Sequence, residues 1–234
     1  AAHYAHLCAA WYNALLIHHV RGFLSQGLGQ HEEKSLKNKR RPAGRRILSG
    51  RYFVMDMGSW LRQWKDAVLG EFGEEKVCFM GIQGSRAREE ARPDSDIDVV
   101  LILEELDLVD LERYRSCVAR LPEREKLCGF ISGRAELEAW SRSELFQFCL
   151  DTKAVYGSLD SYAKSVTRED VLEGALTGAG GVYHACVHNY LHERSEAMLY
   201  ELCKSAFFTL RAVHFLETGR AVRTREKLKA ERGT

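Results

Sequence analysis

Residues 84 to 98 read Gly84-Ser85-Arg86-Ala87-Arg88-Glu89-Glu90-Ala91-Arg92-Pro93-Asp94-Ser95-Asp96-Ile97-Asp98, and apolar runs flank them on both sides. Lys76 to Ile82 reads as a buried strand, and Ile97 to Leu103, rich in β-branched and leucine side chains, reads as a second one. Alternate strand side chains share a face, so Asp96 and Asp98 are expected side by side within that second strand. Two neighbouring carboxylates repel unless a cation lies between them, and oxygen-only ligands favour Mg²⁺ or Mn²⁺ over zinc. Gly84 lets a ligand approach the backbone closely, and Ser85 is placed to cap a short helix over Arg86 to Ala91, whose N-terminus would attract phosphate. Asp94 is expected to close the turn at Pro93. The residues thus point to a nucleoside triphosphate held with a divalent metal.

The sequence Gly84-Ser85, ten residues, then Asp96-Ile97-Asp98 between strands resembles the signature of the nucleotidyltransferase superfamily (DNA polymerase β-like). It is most similar to the small bacterial branch that holds aminoglycoside nucleotidyltransferases and the minimal nucleotidyltransferases of toxin–antitoxin pairs. The resemblance implies that Gly84 and Ser85 grip phosphates and that Asp96 and Asp98 bind the catalytic metal. Arg86 and Arg88 would reach phosphate or substrate, with ordinary ion pairing as the competing role. ATP or another nucleoside triphosphate is the implied donor, and the acceptor is a small-molecule hydroxyl or a protein side chain. The family pattern usually adds a third carboxylate on a later strand. Here the next strand, Lys126 to Gly133, carries no acid, and Glu136 just beyond it is the best substitute, ahead of Glu138 and Asp151. That gap keeps a second reading open, a catalytically weak nucleotide-binding or antitoxin-like interaction module.

At 234 residues the chain has room for one sizeable domain or two small ones. The net charge of +1 argues against a nucleic-acid-coating surface. Seven cysteines without a Cys-x-x-Cys pair fit neither a disulfide framework nor a zinc knuckle, and suggest reduced thiols in a cytoplasmic protein. No stretch approaches the twenty apolar residues of a membrane span. His3 to Leu24 has helical periodicity, and a stretch with eight basic residues against Glu32 and Glu33 follows, ending at Arg51. Residues 1–54 are therefore expected to be an extension, helical and then a basic, poorly ordered linker, with the functional fold starting near Met55.

From there the pattern predicts a mixed α/β fold over 55–160, a nucleotidyltransferase-type mixed sheet with flanking helices. An all-helical C-terminal bundle over 161–234 is expected to follow, with a final helix missing from it. Helices are expected over Ser59–Phe72, Asp107–Leu121, Ala135–Trp140, Ser143–Leu150, Arg168–Thr177, Tyr183–Leu199 and Tyr200–Glu217, with a break at the glycines 178, 180 and 181. Lys204 to Phe208 through Thr218-Gly219 is similar to the HEPN or kanamycin-nucleotidyltransferase C-terminal bundle, which implies a homodimer or a HEPN-type partner. Arg211 and His214 stand three apart, closer than the Arg–His pair of HEPN ribonucleases, so RNA cleavage is not expected. His184, His188 and His192 fall on one helical face, where polar packing is favoured over lining the substrate cleft, and over metal binding.

Overall fold

A computed structural model describes residues 56–232, so the expectations for the N-terminal extension lie outside the described residues. Helix α1 (Met57–Phe72) starts where Asp56 accepts a hydrogen bond from the Gly58 amide, and it ends on Gly73 at φ 80°. Trp60, Trp64, Val68 and Phe72 recur every four residues, so one stripe of α1 is buried. That stripe covers one face of a four-stranded sheet in the order β3-β2-β1-β4. The strands are β1 (Val77–Ile82), β2 (Ile97–Leu103), β3 (Leu127–Gly133) and β4 (Lys153–Tyr156). β1 runs antiparallel to β2 and β4, whereas β2 and β3 run parallel.

The parallel pair needs a crossover, which α3 (Leu108–Val118) supplies on the same face as α1. Asp107 caps α3 reciprocally with Asp110, and the buried Asp110 carboxylate also takes both hydrogen bonds of Lys76, at 2.6 and 2.7 Å. On the β2 strand, Ile97, Val99, Leu101 and Leu103 face this layer. Val100 and Ile102 face the other way, against Leu137, Leu145, Phe148 and Leu159. The irregular register between Val77 and Phe79 turns Phe79 into the second layer. That layer is built from α4 (Arg134–Glu138), α5 (Arg142–Asp151) and α6 (Asp160–Ser165).

The C-terminal part is helical, as the sequence predicts. Thr167 and Asp170 form a reciprocal capping box that starts α7 (Arg168–His188). This helix runs through the glycines instead of breaking at them. Gly178 explains part of the difference: a Cβ there would meet Thr209 Oγ1 at 2.6 Å, so the glycine permits close packing on α8 (Glu196–Thr218). The break comes later, in a π turn over Asn189–Glu193. Asn189 bonds both the amide and the carbonyl of Ser195, and Arg194 is left-handed at φ 50°. Gly219 ends α8 at φ 70°, the C-cap read from Thr218-Gly219, and α9 (Arg225–Arg232) packs Leu228 against Phe207.

Among the described residues all cysteines are free thiols. No described helix is long and apolar enough to cross a membrane.

Candidate active site

The turn after β1 is built by its glycine. Gly84 has φ 68°, and a Cβ added there would overlap Asp98 Oδ2, so the Asp98 carboxylate lies directly against the turn. The Gln83 amide donates to the Asp98 carbonyl at 2.7 Å and closes the strand–turn–strand unit. The helix in the turn, α2 (Gly84–Ala87), is a single turn with Gln83 at its N-cap. Ser85 is therefore inside the helix and does not cap it. Glu89 at φ 62° turns the chain away before the expected end at Ala91. The Pro93 turn is closed by Ser95, whose Oγ accepts from the Arg92 amide at 2.8 Å; Asp94 does not close it.

The two aspartates come together, but not both within the strand. β2 begins at Ile97, paired with Leu127. Asp96 precedes it because the Arg86 guanidinium takes the Asp96 and Ser95 carbonyls at 2.9 and 2.6 Å, which diverts the backbone from the ladder. Arg86 thus braces the loop that carries Asp96. Asp98 is half-buried, and its carboxyl is pushed above the usual carboxylate range, chiefly by burial and then by the Asp96 charge. Arg88 and Arg86 counter that rise in part, and Asp151 adds to it.

Arg88 is engaged by the protein. Its Nη1 lies 3.0 Å from both Asp151 oxygens and its Nε 3.0 Å from Glu90. Asp151, at the end of α5, also accepts from the Gly84 amide at 3.4 Å and from Arg211 Nη1 at 3.0 Å. Arg211 is completely buried and donates twice to Gln147. The Arg211, Arg88 and Arg225 guanidiniums all lie over the Phe207 ring, at 5.3, 6.0 and 5.5 Å. The Arg225 amide in turn donates to Glu90 at 3.0 Å. The phosphate-type turn is therefore tied to α8 and α9 through Asp151 and Glu90.

Glu136 is not brought to this site. It follows Gly133 on α4, and its carboxylate fills the space over that glycine. Gly133 pairs with Leu103, whereas Asp98 pairs with Cys128 at the other end of the strands. Five residues of strand separate the two positions, roughly 17 Å. The acid that does reach the turn is Asp151, which sequence reasoning ranked below Glu136. The usable signal was the alternation of β2, which puts Asp98 on the face that α5 covers. The position beside Asp98 on β3 holds the exposed Cys128.

Among the described residues no cluster of three or more His, Cys, Asp and Glu side chains is set to hold a metal. Two carboxylates suffice for Mg²⁺, which commonly takes one or two from protein and the rest from substrate phosphates and water. The donor set of Asp96 and Asp98 fits that habit: the Asp96 charge lies near enough to add to the burial that raises the Asp98 carboxyl.

Residues 62–136, from α1 into α4, match the family model described as "Nucleotidyltransferase domain". Among solved structures, the chain is similar to spectinomycin adenyltransferase AAD(9) from Enterococcus faecialis with ATP and spectinomycin. That likeness has 13% identity and a TM-score of 0.44, over 70% of this chain and 78% of that one. It is also similar to a toxin-antitoxin with AMP-PNP, at 14% identity and a TM-score of 0.32, over 56% of this chain and 94% of that one. Among curated protein sequences, none matches the chain. The turn and both aspartates lie inside the segment that matches the nucleotidyltransferase-domain model.

Proposed function

We propose that this chain is a Mg²⁺-dependent (or Mn²⁺-dependent) nucleotidyltransferase that moves a nucleoside monophosphate, AMP from ATP, onto an acceptor hydroxyl or a protein side chain. The observation that carries the reading is the contact between the Gly84 turn and the Asp98 carboxylate inside the matched domain. That contact would bring the turn's backbone amides to phosphate beside oxygen ligands for a divalent ion. A nucleoside triphosphate laid there would have its phosphates over Gly84 and Ser85 and its metal-facing oxygens against Asp96 and Asp98. The bound metal would neutralise charge on the phosphate oxygens and lower the barrier to attack on the α-phosphorus. The acceptor oxygen forms the new P–O bond as the bond to pyrophosphate breaks and its proton passes to solvent; such transfers ask for positioning more than for covalent help.

Arg86 and Arg88 act here through the protein, by holding the Asp96 backbone and the Asp151 carboxylate. Asp151 is a positioning residue, since two guanidiniums occupy its oxygens. Catalysis without a free third carboxylate would rest on metal and orientation. The gap on β3 keeps the nucleotide-binding module as the second reading, because Cys128 stands where an acid beside Asp98 would be. The domain division at about residue 160 belongs to the same proposal, with the C-terminal helices serving the acceptor or a partner.

The test is incubation with α-labelled ATP and Mg²⁺ in the presence of aminoglycosides, other polyhydroxylated small molecules and candidate proteins. Label transferred to an acceptor, with pyrophosphate released, is the expected result. Magnesium-dependent ATP binding with no transfer to any acceptor would replace it with the module. Asp98→Asn should lower transfer by orders of magnitude and Asp151→Asn by much less; equal losses would overturn the positioning role.

A further inference from the structure

We infer that two copies of this chain associate through the outer face of α7, antiparallel, crossing at Gly180. Leu172, Leu176, Tyr183 and Val187 are exposed on one flank of that face although each is a large apolar residue. Isolated exposed apolar residues need no explanation, but four at helical spacing form a continuous seam. Gly180 lies at the centre of the face, and a Cβ there or at Gly181 would meet nothing within 4 Å. Each helix-interior glycine costs about 1 kcal/mol relative to alanine. Gly178 has a contact inside the protein to justify it, on Thr209; Gly180 and Gly181 have none. Their use is at a surface where another backbone comes close.

The other flank of the face is polar and ordered by charge. Glu173 lies in the N-terminal half, and His184 and His188 lie in the C-terminal half, with Thr177 between them. A two-fold axis through Gly180 reverses one helix on the other and keeps each flank on its own side. Leu176 then faces Tyr183 of the second copy, and Leu172 faces its Val187. Thr177 faces His184, and Glu173 faces His188. A parallel two-fold pairing would instead set the polar flank of one copy against the apolar flank of the other. Within its own chain His188 lies 3.5 Å from Glu193, with the tilted His192 ring 5.0 Å away, so the pairing adds a second acid to an existing polar cluster. The occupant that matches both flanks is the same helix in a second copy. None of these residues belongs to the candidate active site, and the inference stands apart from the proposed reaction.

Sedimentation velocity and light scattering on the full chain test this. The wild type should show a concentration-dependent dimer. Gly180→Leu should weaken it by about tenfold or more, a change of at least 1.4 kcal/mol in association. Because the position is open in the single chain and leucine is the better helix former, the variant's monomer should be at least as stable as that of the wild type. Glu173→Lys should weaken the dimer as well, and adding His188→Glu to it should restore part of the loss. A wild type that stays monomeric up to about 100 μM, or a dimer that Gly180→Leu leaves as tight as before, would overturn the inference. A stable complex with some other protein through this face, in a monomeric wild type, would overturn it too.

Discussion

Arg211→Met removes the charge that joins α8 to the turn while keeping a chain of similar reach over Phe207 and Phe208. Arg211 is fully buried, pairs with Asp151 at 3.0 Å and donates to Gln147 at 2.6 and 3.1 Å. Breaking a buried ion pair by removing one partner costs about 3–5 kcal/mol. Asp151 keeps Arg88 as a second partner, so the loss belongs at the low end, about 3 kcal/mol. For a folded unit of this size each kcal/mol moves the midpoint by roughly 2–4 °C, giving a fall of about 6–12 °C. The control is Arg115→Met, which breaks an exposed pair with Glu112 on α3 and should change stability by no more than about 0.5 kcal/mol. Urea titrations and calorimetry of both variants measure the difference. A loss below about 1 kcal/mol for Arg211→Met, or one equal to that of Arg115→Met, would refute the view that the Asp151 network holds the helical part onto the site.

Gly84→Ala should cost about 1–2 kcal/mol for its left-handed backbone and displace the Asp98 carboxylate, so nucleotide binding should be lost in a protein that still folds; retained binding would show that the turn can open. Asp98→Asn should make the metal-free protein at least as stable as the wild type at neutral pH. The Asp98 carboxyl is raised in the folded state, so its contribution to stability declines as pH rises from the ordinary carboxylate range to the folded value, and the full penalty persists above that. The stability difference between wild type and Asp98→Asn should follow that window, and a variant clearly less stable than wild type at pH 7 would contradict it. Asn189→Ala should loosen the junction of α7 and α8 by about 1–2 kcal/mol, read as a lower midpoint and earlier amide exchange there.

The sheet was legible because its strands are short apolar runs bounded by turn residues, and the register of β2 follows from that pattern. One juxtaposition was legible as well: the Gly84 turn meets the Asp98 carboxylate, with Asp96 near enough for its charge to act on it. The neighbours of these residues were not. Asp96 lies outside the strand because Arg86, ten residues away, competes for its carbonyl. Alternation along β2 marks the face that carries Asp98, but that α5 packs on this face and so brings Asp151 to the turn is a tertiary fact that no local pattern encodes. The single long α7 defied the glycine rule for a similar reason. Packing of Gly178 on Thr209 offsets the propensity loss there, whereas the true break depends on Asn189 bonding Ser195. Helix α6 was missed because its six residues leave no period to read.

Calorimetric titration of ATP into the protein with Mg²⁺, and again with the metal chelated, tests the central claim most directly. The wild type should bind ATP in the presence of Mg²⁺ and far more weakly without it, and Asp98→Asn should lose that metal dependence. ATP binding that is equally tight with and without Mg²⁺, or unchanged in Asp98→Asn, would contradict a metal–triphosphate site at Gly84, Asp96 and Asp98.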